Sequence, residues 1–263
     1  MIDEERMQSM LPVRGLGQPF HFFETIGSTN DFAKELAKGD APHGTLVVAD
    51  EQTAGRGRGE RRWLTPKGSA LALSLILRPE RSMHQRIGVV GCMAALAVQE
   101  GMLKEGIEAE IKWPNDVLIG GRKAAGVLVE AAWQGADLAS LVVGIGVNVG
   151  PASVPSEEQL DYPAICMETV LGKDVDRVVL LLGVLESMAQ WWPRLGSKKL
   201  VEHINSRLAF RGHEVELVGG EEILRGILKR VKPDGRLRLK TESGEINVGA
   251  GGMRLHPLGT ELG

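Results

Sequence analysis

Arginine and glycine are concentrated in one short stretch of this 263-residue chain, in a pattern that suits an anionic ligand. Residues 55–63 read Gly-Arg-Gly-Arg-Gly-Glu-Arg-Arg-Trp. Glycine lets the backbone approach a phosphate closely, and arginine supplies forked donors to phosphate or carboxylate oxygens. The stretch lacks the Gly-Lys-Ser/Thr ending of a P-loop, and no helix pattern follows it as in a dinucleotide-binding fingerprint. It predicts a basic loop that an anion would order; a solvated loop or a nucleic-acid patch is the alternative.

A lysine follows a Gly-Gly turn at the start of an apolar strand pattern. Residues 112–116 read Lys-Trp-Pro-Asn-Asp, and residues 122–130 read Arg-Lys-Ala-Ala-Gly-Val-Leu-Val-Glu. Lys123 at the mouth of that strand can point into a cleft; an exposed hairpin lysine with a solvated head is the alternative. Asp116 can offer its carboxylate to a divalent ion, or Asn115 and Asp116 only satisfy the amides of a turn.

Two further stretches place small or polar residues at the start of a predicted helix and within a predicted strand. Ser-Thr-Asn at 28–30 begins an amphipathic helix pattern, so these side chains either bind a ligand or only cap the helix. Gly144 and Gly146 fall in an apolar strand pattern, where glycine permits the close approach of another group. Asn148 in the same strand must find hydrogen-bonding partners, either in a site or in the core.

The composition is that of an ordinary globular chain. Hydrophobic residues make up 43% and charged residues 25%, and 31 Lys and Arg against 34 Asp and Glu give a net charge of −3. This composition excludes a disordered chain and a disulfide scaffold, and the charge argues against sequence-independent nucleic-acid binding. Cys92 and Cys166 have no neighbouring Cys or His, so no zinc site is expected. Because neither a signal peptide nor ~20 uncharged apolar residues in a row is found, we expect a cytoplasmic protein without a membrane anchor.

The hydrophobic pattern predicts alternating helices and strands around these stretches. Residues 1–19 are expected to be irregular, and a helix is expected to begin at Ser28 and end at Gly39. Alternating leucines predict a strand at 70–77, and small residues at helical spacing predict a closely packed helix at 83–105. The other expected elements are strands at 45–49, 108–113, 117–119, 124–132 and 138–149, loops at 51–63 and 153–162, and helices at 174–192 and 198–210.

The pattern changes after residue 211. Short strands are expected at 214–218, 225–231, 236–241 and 245–248, separated by Gly-Gly, Pro-Asp-Gly and Ser-Gly turns. The sequence therefore predicts an N-terminal segment at 1–20, a larger α+β domain at 21–211 and a small all-β domain at 212–263.

Taken in order, five stretches resemble the biotin protein ligase family. They are Ser-Thr-Asn at 28–30, Gln-x-x-Gly-Arg-Gly-Arg at 52–58, Lys-Trp-Pro-Asn-Asp at 112–116, Arg-Lys-x-x-Gly-x-Leu-x-Glu at 122–130 and Gly-x-Gly-x-Asn at 144–148. The resemblance covers residues 21–256. It implies an α+β fold, with a mixed β-sheet catalytic domain packed with helices (class II synthetase-like) followed by a small SH3-like β-barrel.

Members of this family join the carboxylate of biotin to a lysine of a carrier domain in two steps. ATP converts biotin to biotinyl-5′-AMP and pyrophosphate, and the carrier lysine then attacks the mixed anhydride and releases AMP. By the match, Lys123 would bridge carboxylate and phosphate, and Arg58 would contact the ligand and its phosphate, because cations must hold two anions together. Mg²⁺ would shield the leaving pyrophosphate, and the match assigns no residue as a metal ligand.

The resemblance also assigns binding residues. Ser28 and Gln52 would bond the ureido group of biotin, helped by the backbone around Gly55 and Arg56. The other implied biotin-site residues are Thr29, Asn30, Gly57, Arg58, Trp113, Lys123, Gly126 and Leu128. The implied ATP and adenylate residues are Arg58, Arg61, Trp63, Asn115, Lys123 and Asn148. The loop would be disordered when empty and would cover the adenylate to exclude water, with Trp63 closing on the ligand.

The chain departs from the family pattern in its loop and at its N-terminus. Glu60 stands where glycine is usual, which puts the closed shape of the loop in question. Some members carry an N-terminal DNA-binding domain of about 60 residues. Only 27 residues precede Ser28 here, so we expect no DNA binding. The expected partner is a biotin carboxyl carrier protein of the acetyl-CoA carboxylase type, and a homodimer is left open.

Two rival functions fit part of the pattern. A lipoate or octanoate ligase or transferase shares the catalytic fold, but a linear acyl chain needs no ureido hydrogen bonds. A nucleic-acid-binding module would use the arginine-rich loop, but interleaved aromatics and a net basic charge are missing. The combination of Ser28, Gln52 and the Gly-Arg-Gly-Arg stretch favours biotin.

Overall fold

The computed structural model describes residues 4–11, 15–59, 61–135, 137–156, 158, 160 and 162–258. The helices are α1 Glu4–Met10, α2 Thr29–Lys38, α3 Val90–Lys104, α4 Met167–Leu171, α5 Arg177–Trp191 and α6 Lys198–Ser206. The strands of the first sheet are β1 Phe20–Ile26, β2 Leu46–Gln52, β3 Ala70–Leu77, β4 Glu110–Lys112, β5 Asp116–Ile119, β6 Arg122–Gln134 and β7 Asp137–Asn148. The strands of the second sheet are β8 Glu214–Gly219, β9 Glu222–Val231, β10 Leu237–Thr241, β11 Gly244–Val248 and β12 Arg254–Pro257.

The first sheet is mixed and has seven strands in the order β1-β2-β3-β7-β6-β5-β4. Strand β1 runs parallel to β2, and the other neighbouring pairs are antiparallel. The second sheet is antiparallel, with its five strands in the order β11-β10-β9-β8-β12. These two sheets confirm the expected α+β fold class, and the second is consistent with an SH3-like unit.

Helices cover both faces of the first sheet. Ala33 and Ala37 of α2 pack against Val47, Ile76 and Val142 on one face. Helices α3 and α5 pack against each other on the opposite face. Because both faces are covered, all eight residues of β3 are buried, and its alternating leucines point to the α3 side while the residues between them face α2.

Helix α3 and the 3₁₀ turn before it form the longest apolar helical segment among the described residues. The segment 81–104 has the length and composition of a membrane-spanning helix, and 67% of its apolar window is buried inside the fold. It packs on α5, β6 and α6, in the way of a core helix.

Several expected boundaries are wrong. The N-terminal segment is not wholly irregular, because α1 forms there and buries Met7 in the core. Strand β1 and helix α4 were not foreseen, and α6 ends at Ser206. The chain stops being helical there because the Arg207 carbonyl accepts from the Ile111 amide and the Ala209 amide donates to the Ile111 carbonyl.

Strand β12 is the missed element that matters most for the site. It pairs with β8, with Leu255 opposite Leu217 and His256 opposite Glu216. Glycines crowd the segment before it and obscure its short strand pattern. Because β12 lies at the end of the second sheet, it brings residues 252–256 to the cavity described next.

Candidate active site

A cavity of about 430 Å³ lies on the α2 side of the first sheet and extends to the second sheet. All five sequence stretches contribute to its wall. The predicted site residues that line it are Ser28, Thr29, Asn30, Gln52, Arg56, Gly57, Arg58, Arg61, Trp63, Trp113, Asn115, Lys123, Gly126 and Leu128. The structure thus gathers residues from distant parts of the chain around one concave site.

Glycines of β6 and β7 form the floor of the cavity. Gly126 of β6 is paired with Gly146 of β7 in the sheet register, so both lie on the same face. A Cβ at Gly146 would collide with the Trp63 indole, and a Cβ at Gly144 would collide with the Asn30 amide. Glycine is therefore needed here because two side chains rest directly on the strand.

A hydrogen-bond network joins the start of α2 to the sheet. Ser28 caps the helix, its Oγ accepting from the Asp31 amide at 3.4 Å. The Gln52 side-chain oxygen accepts from the Thr29 amide at 2.8 Å, and the Gln52 Nε2 donates to Thr65 Oγ1 at 3.0 Å. Ser28 and Gln52, the expected ureido ligands, therefore both lie in the cavity wall, where each also makes hydrogen bonds within the fold.

Glu130 on β6 anchors the first arginine of the loop. Its carboxylate accepts from Asn30 Nδ2 at 3.0 Å and from Lys34 Nζ at 3.0 Å, and it forms an ion pair with Arg56. Arg56 also lies 3.1 Å from the Asp31 carboxylate. Burial by itself raises the pKa of Glu130, but the hydrogen bonds from Arg56, Asn30 and Lys34 outweigh it and lower the pKa.

Arg58, the second arginine of the loop, reaches across to the second sheet. Its guanidinium donates to the Ala250 carbonyl at 2.8 Å, to the Met253 carbonyl at 3.4 Å and to Asn115 Oδ1 at 3.1 Å. Burial is the main reason that the pKa of Arg58 is lowered. The loop is therefore held in place from both units of the fold. Glu60, which stands where the family has glycine, lies outside the described residues.

Lys123 meets a carboxylate in the cavity wall. Its Nζ lies 2.7 Å from Asp116 Oδ1 and 5.6 Å from the centre of the Trp63 ring. Asn148 lies behind it, 3% exposed, with Nδ2 donating to the carbonyls of Lys123 and Ile165. The Lys123 ammonium therefore faces the cavity, where it can contact an anionic ligand.

Two predicted site residues do not line the cavity. Asn148 is satisfied by the core contacts just described, the alternative that the sequence left open. Gly55 supports the loop: its carbonyl accepts from the Trp63 amide at 2.9 Å, and a Cβ there would collide with the Trp63 carbonyl. Their assigned contacts with a ligand stay predictions.

Sequence reasoning missed a group of residues at the end of the cavity near the second sheet. They are Lys112, Tyr162, Arg254 and His256. Lys112 belongs to a motif already singled out, and its place at the end of a short strand was a usable signal. Arg254 and His256 gave no such signal, because the sequence pattern did not reveal the strand on which they lie.

Among the described residues, no group of three or more His, Cys, Asp or Glu side chains could hold a metal ion. Asp116 is the one carboxylate among the described cavity residues, and the Lys123 ammonium already faces it. The part of the chain that is described therefore offers no ready protein cage for a metal.

Comparison with known sequences gives a consistent result. Residues 22–148 match the Biotin/lipoate A/B protein ligase family. A biotin–[acetyl-CoA-carboxylase] ligase of Mycobacterium tuberculosis is 32% identical over 259 residues, covering 95% of this chain and 94% of that protein. The corresponding ligase of Paracoccus denitrificans is 33% identical over 82% of this chain and 92% of its own length.

The bifunctional ligase/repressor BirA of Bacillus spizizenii is 38% identical over 185 residues, which cover 70% of this chain but 57% of that protein. Among solved structures, biotin protein ligase from Aquifex aeolicus in complex with biotin and ATP superposes with a TM-score of 0.77. It is 31% identical, and the match covers 90% of this chain and 97% of the other.

Proposed function

The chain belongs to the biotin/lipoate A/B protein ligase family, and from that premise we propose that it is an ATP-dependent biotin–protein ligase. In this proposal, ATP activates the biotin carboxylate to biotinyl-5′-AMP with release of pyrophosphate. A lysine of a carrier protein then attacks the acyl carbon, and AMP leaves. The names of the Mycobacterium and Paracoccus relatives support a carrier of the acetyl-CoA carboxylase type, and the Aquifex complex supports biotin and ATP.

One observation carries the proposal: two cations face a glycine-floored slot in the same cavity. Lys123 and Arg58 approach from different elements, and Gly126 and Gly146 let the Trp63 ring lie directly against the sheet at the base of the cavity. An acid placed in that slot would present its carboxylate between the two cations. The cations would offset the repulsion between that carboxylate and the α-phosphate, and would stabilise the charge that develops as they join.

Each part of the cavity has a task in this reaction. Ser28 and Gln52 supply the polar groups that would recognise a ureido head. Arg58 and Lys123 hold carboxylate and phosphate in line, and Trp63 with the loop keeps water from the reactive anhydride. The remaining biotin and adenylate contacts are proposed as the sequence match assigns them.

Mg²⁺ is part of the proposal as a companion of ATP, where it would neutralise phosphate charge. Because this ion commonly binds through substrate phosphates and only one or two carboxylates, we assign no protein residue to it. We also propose a cytoplasmic location, no nucleic-acid or membrane partner, and domain limits at 21–211 and 212–263 after a segment at 1–20.

Acid-dependent exchange between ATP and pyrophosphate tests the proposal directly. The assay compares biotin, lipoate and octanoate with Mg²⁺ and needs no carrier protein. Exchange with biotin alone is the expected result. Exchange with lipoate or octanoate would transfer the assignment to the acyl-ligase branch of the family, and no exchange by folded protein with any of these acids would contradict the proposed activity.

A further inference from the structure

Arg177, the first residue of α5, forms an ion pair on the face of the first sheet opposite to the cavity. The residue is 7% exposed, and the Asp50 carboxylate that it meets is 0% exposed. Its Nη1 donates to Asp50 Oδ1 at 2.7 Å and to the Ala70 carbonyl at 2.9 Å. A buried charge is tolerated when it is paired and hydrogen-bonded. The guanidinium and the carboxylate therefore hold each other in place.

The pair lies where strands β2 and β3 stop pairing with each other. Their register ends with Ala49 opposite Ala72. Asp50 is the next residue of β2, and Ala70 is the first residue of β3. One nitrogen of Arg177 therefore joins the two strands just beyond the last residue pair of their ladder.

These two strand ends support the base of the arginine-rich loop. Gln52 follows Asp50 by two residues, and its main-chain amide donates to the Thr65 carbonyl at 3.1 Å. The Gln52 side chain accepts from the Thr29 amide and donates to Thr65 Oγ1. The far end of the loop is held separately, by the bonds of Arg58 to the segment before β12. The orientation of the Gln52 carboxamide thus depends on where β2 and the loop base lie.

The start of α5 is itself fixed, which makes Arg177 a firm support. Asp176 caps the helix, with Oδ1 accepting from the amides of Val178 and Val179 at 3.0 and 3.3 Å. Its Oδ2 lies 2.7 Å from Arg6 Nη1 on α1. The helix dipole opposes a cation in the first turn of a helix. The contacts of Arg177 with the sheet, and not the helix itself, therefore explain its position.

We propose that Arg177 is a positioning residue for the acid-binding end of the site. By holding Asp50 of β2 to Ala70 of β3, it sets the position of Gln52 and with it the recognition of the ureido head. This role rests on the proposed function, in which Gln52 binds that head. Arg177 does not line the cavity, so it acts through the strands and not by contact with a ligand.

The KM for biotin in the ATP–pyrophosphate exchange assay tests this role. Arg177→Gln should raise that KM about tenfold, the effect of losing a charge-assisted contact, and leave the KM for ATP close to the wild-type value. Arg177→Lys keeps a cation that can bond both oxygens, so it should restore most of the affinity. Arg78→Gln is the matched control, because the half-buried Arg78 likewise donates to main-chain carbonyls, but at the other end of β3.

Hydrogen–deuterium exchange on the protein without substrates gives a readout that does not need the activity. The amides of Thr29 and Gln52 should exchange faster in Arg177→Gln than in the wild type, because both belong to the network at the loop base. Arg78→Gln should leave both amides unchanged. If Arg177→Gln does not fold by circular dichroism, Asp50→Asn/Arg177→Gln removes both buried charges together and should show the same changes.

The possible results separate this role from the proposed function. A wild-type KM for biotin in folded Arg177→Gln would overturn the positioning role. Equal changes in Arg78→Gln would also overturn it, because they would reflect a general loss of stability. Faster amide exchange that depends on Arg177, in a protein whose wild type gives no biotin-dependent ATP–pyrophosphate exchange, would keep the positioning role and reject the ligase function.

Discussion

The guanidinium of Arg58 donates to the main-chain carbonyl of Ala250 across 192 positions of sequence, at 2.8 Å. This bond ties the arginine-rich loop of the first unit to the segment that leads into β12. A second bond from the same side chain reaches Asn115 beside the cavity. The position of the loop therefore depends on the second sheet as well as on the first.

Arg58→Ala should release the adenylate intermediate faster. The variant loses the contacts to Asn115, Ala250 and Met253 together with the predicted contact to phosphate. We expect the dissociation rate of biotinyl-5′-AMP to rise about tenfold or more, measured by filter binding with labelled adenylate. Arg81→Ala, which removes a surface ion pair with Asp137, is the control. An unchanged release rate in Arg58→Ala would count against a covering role for the loop.

Lys123→Ala should lose adenylation far more than stability. We expect exchange to fall by about 10²–10³, the usual effect of removing one charge-stabilising group. The ion pair with Asp116 is partly exposed, so the free energy of unfolding should drop by only about 1 kcal/mol. Urea denaturation and exchange on the same sample separate the two. Lys104→Ala, which removes a surface ion pair with Glu186, is the control and should change neither exchange nor stability. Retained exchange in Lys123→Ala would show that Lys123 is not a catalytic residue.

Glu130→Gln should loosen the loop without touching the reacting groups. The neutral amide cannot hold the Arg56 and Lys34 cations, although it can still accept from Asn30. We expect faster trypsin cleavage at the loop arginines and a KM for biotin raised about tenfold, with kcat less affected. Glu186→Gln, whose carboxylate is exposed, is the control.

The pH dependence of the Glu130 effect has a definite sign. The pKa of Glu130 is lowered in the folded protein, so its carboxylate stabilises the fold above the ordinary glutamate pKa. That contribution is lost as pH falls through the lowered pKa. The difference between wild type and Glu130→Gln in free energy of unfolding, measured by urea denaturation, should therefore shrink in acid; a constant difference would show that charge is not the cause.

Gly146→Ala should force the Trp63 indole off the sheet. The new methyl group would occupy the space of the ring, and such overpacking costs about 1–3 kcal/mol. The double variant Gly146→Ala/Trp63→Ala removes the obstruction, so its loss of unfolding free energy should be smaller than the sum of the losses in the two single variants. Gly39→Ala, at the end of α2 with ordinary contacts, is the control. Simple additivity would contradict the direct contact.

Lys112 should make stability rise with pH in the alkaline range. Its pKa of about 8 in the folded protein lies below the ordinary value of 10.5, so the unfolded chain binds more protons between them. Across that range the wild type should gain up to about 3 kcal/mol relative to Lys112→Met. Urea titrations at pH 7 and pH 10 measure this difference, with Lys198→Met as the control. Parallel pH curves for wild type and Lys112→Met would contradict the burial of the Lys112 ammonium.

Local features of the fold were predictable from the sequence because they depend on contacts between near neighbours. Ser28 caps α2 and Gly39 ends it through bonds that span three residues. The β5–β6 hairpin turns at Gly120 and Gly121, where the backbone needs positive φ. The five motif stretches could likewise be recognised from the sequence, because the types and spacing of their residues indicate cations and glycines beside a cleft.

The tertiary structure alone decided which of these residues meet. The sequence carries no signal that Glu130 holds Arg56 or that Asn148 faces the core behind Lys123, since the members of these pairs lie 74 and 25 positions apart in the chain. It also could not place His256 beside Lys112, because β12 reaches the cavity only through its pairing with β8. Helix caps and turns are determined by local hydrogen bonds, whereas the cavity exists only once a seven-stranded sheet and a second sheet have packed together.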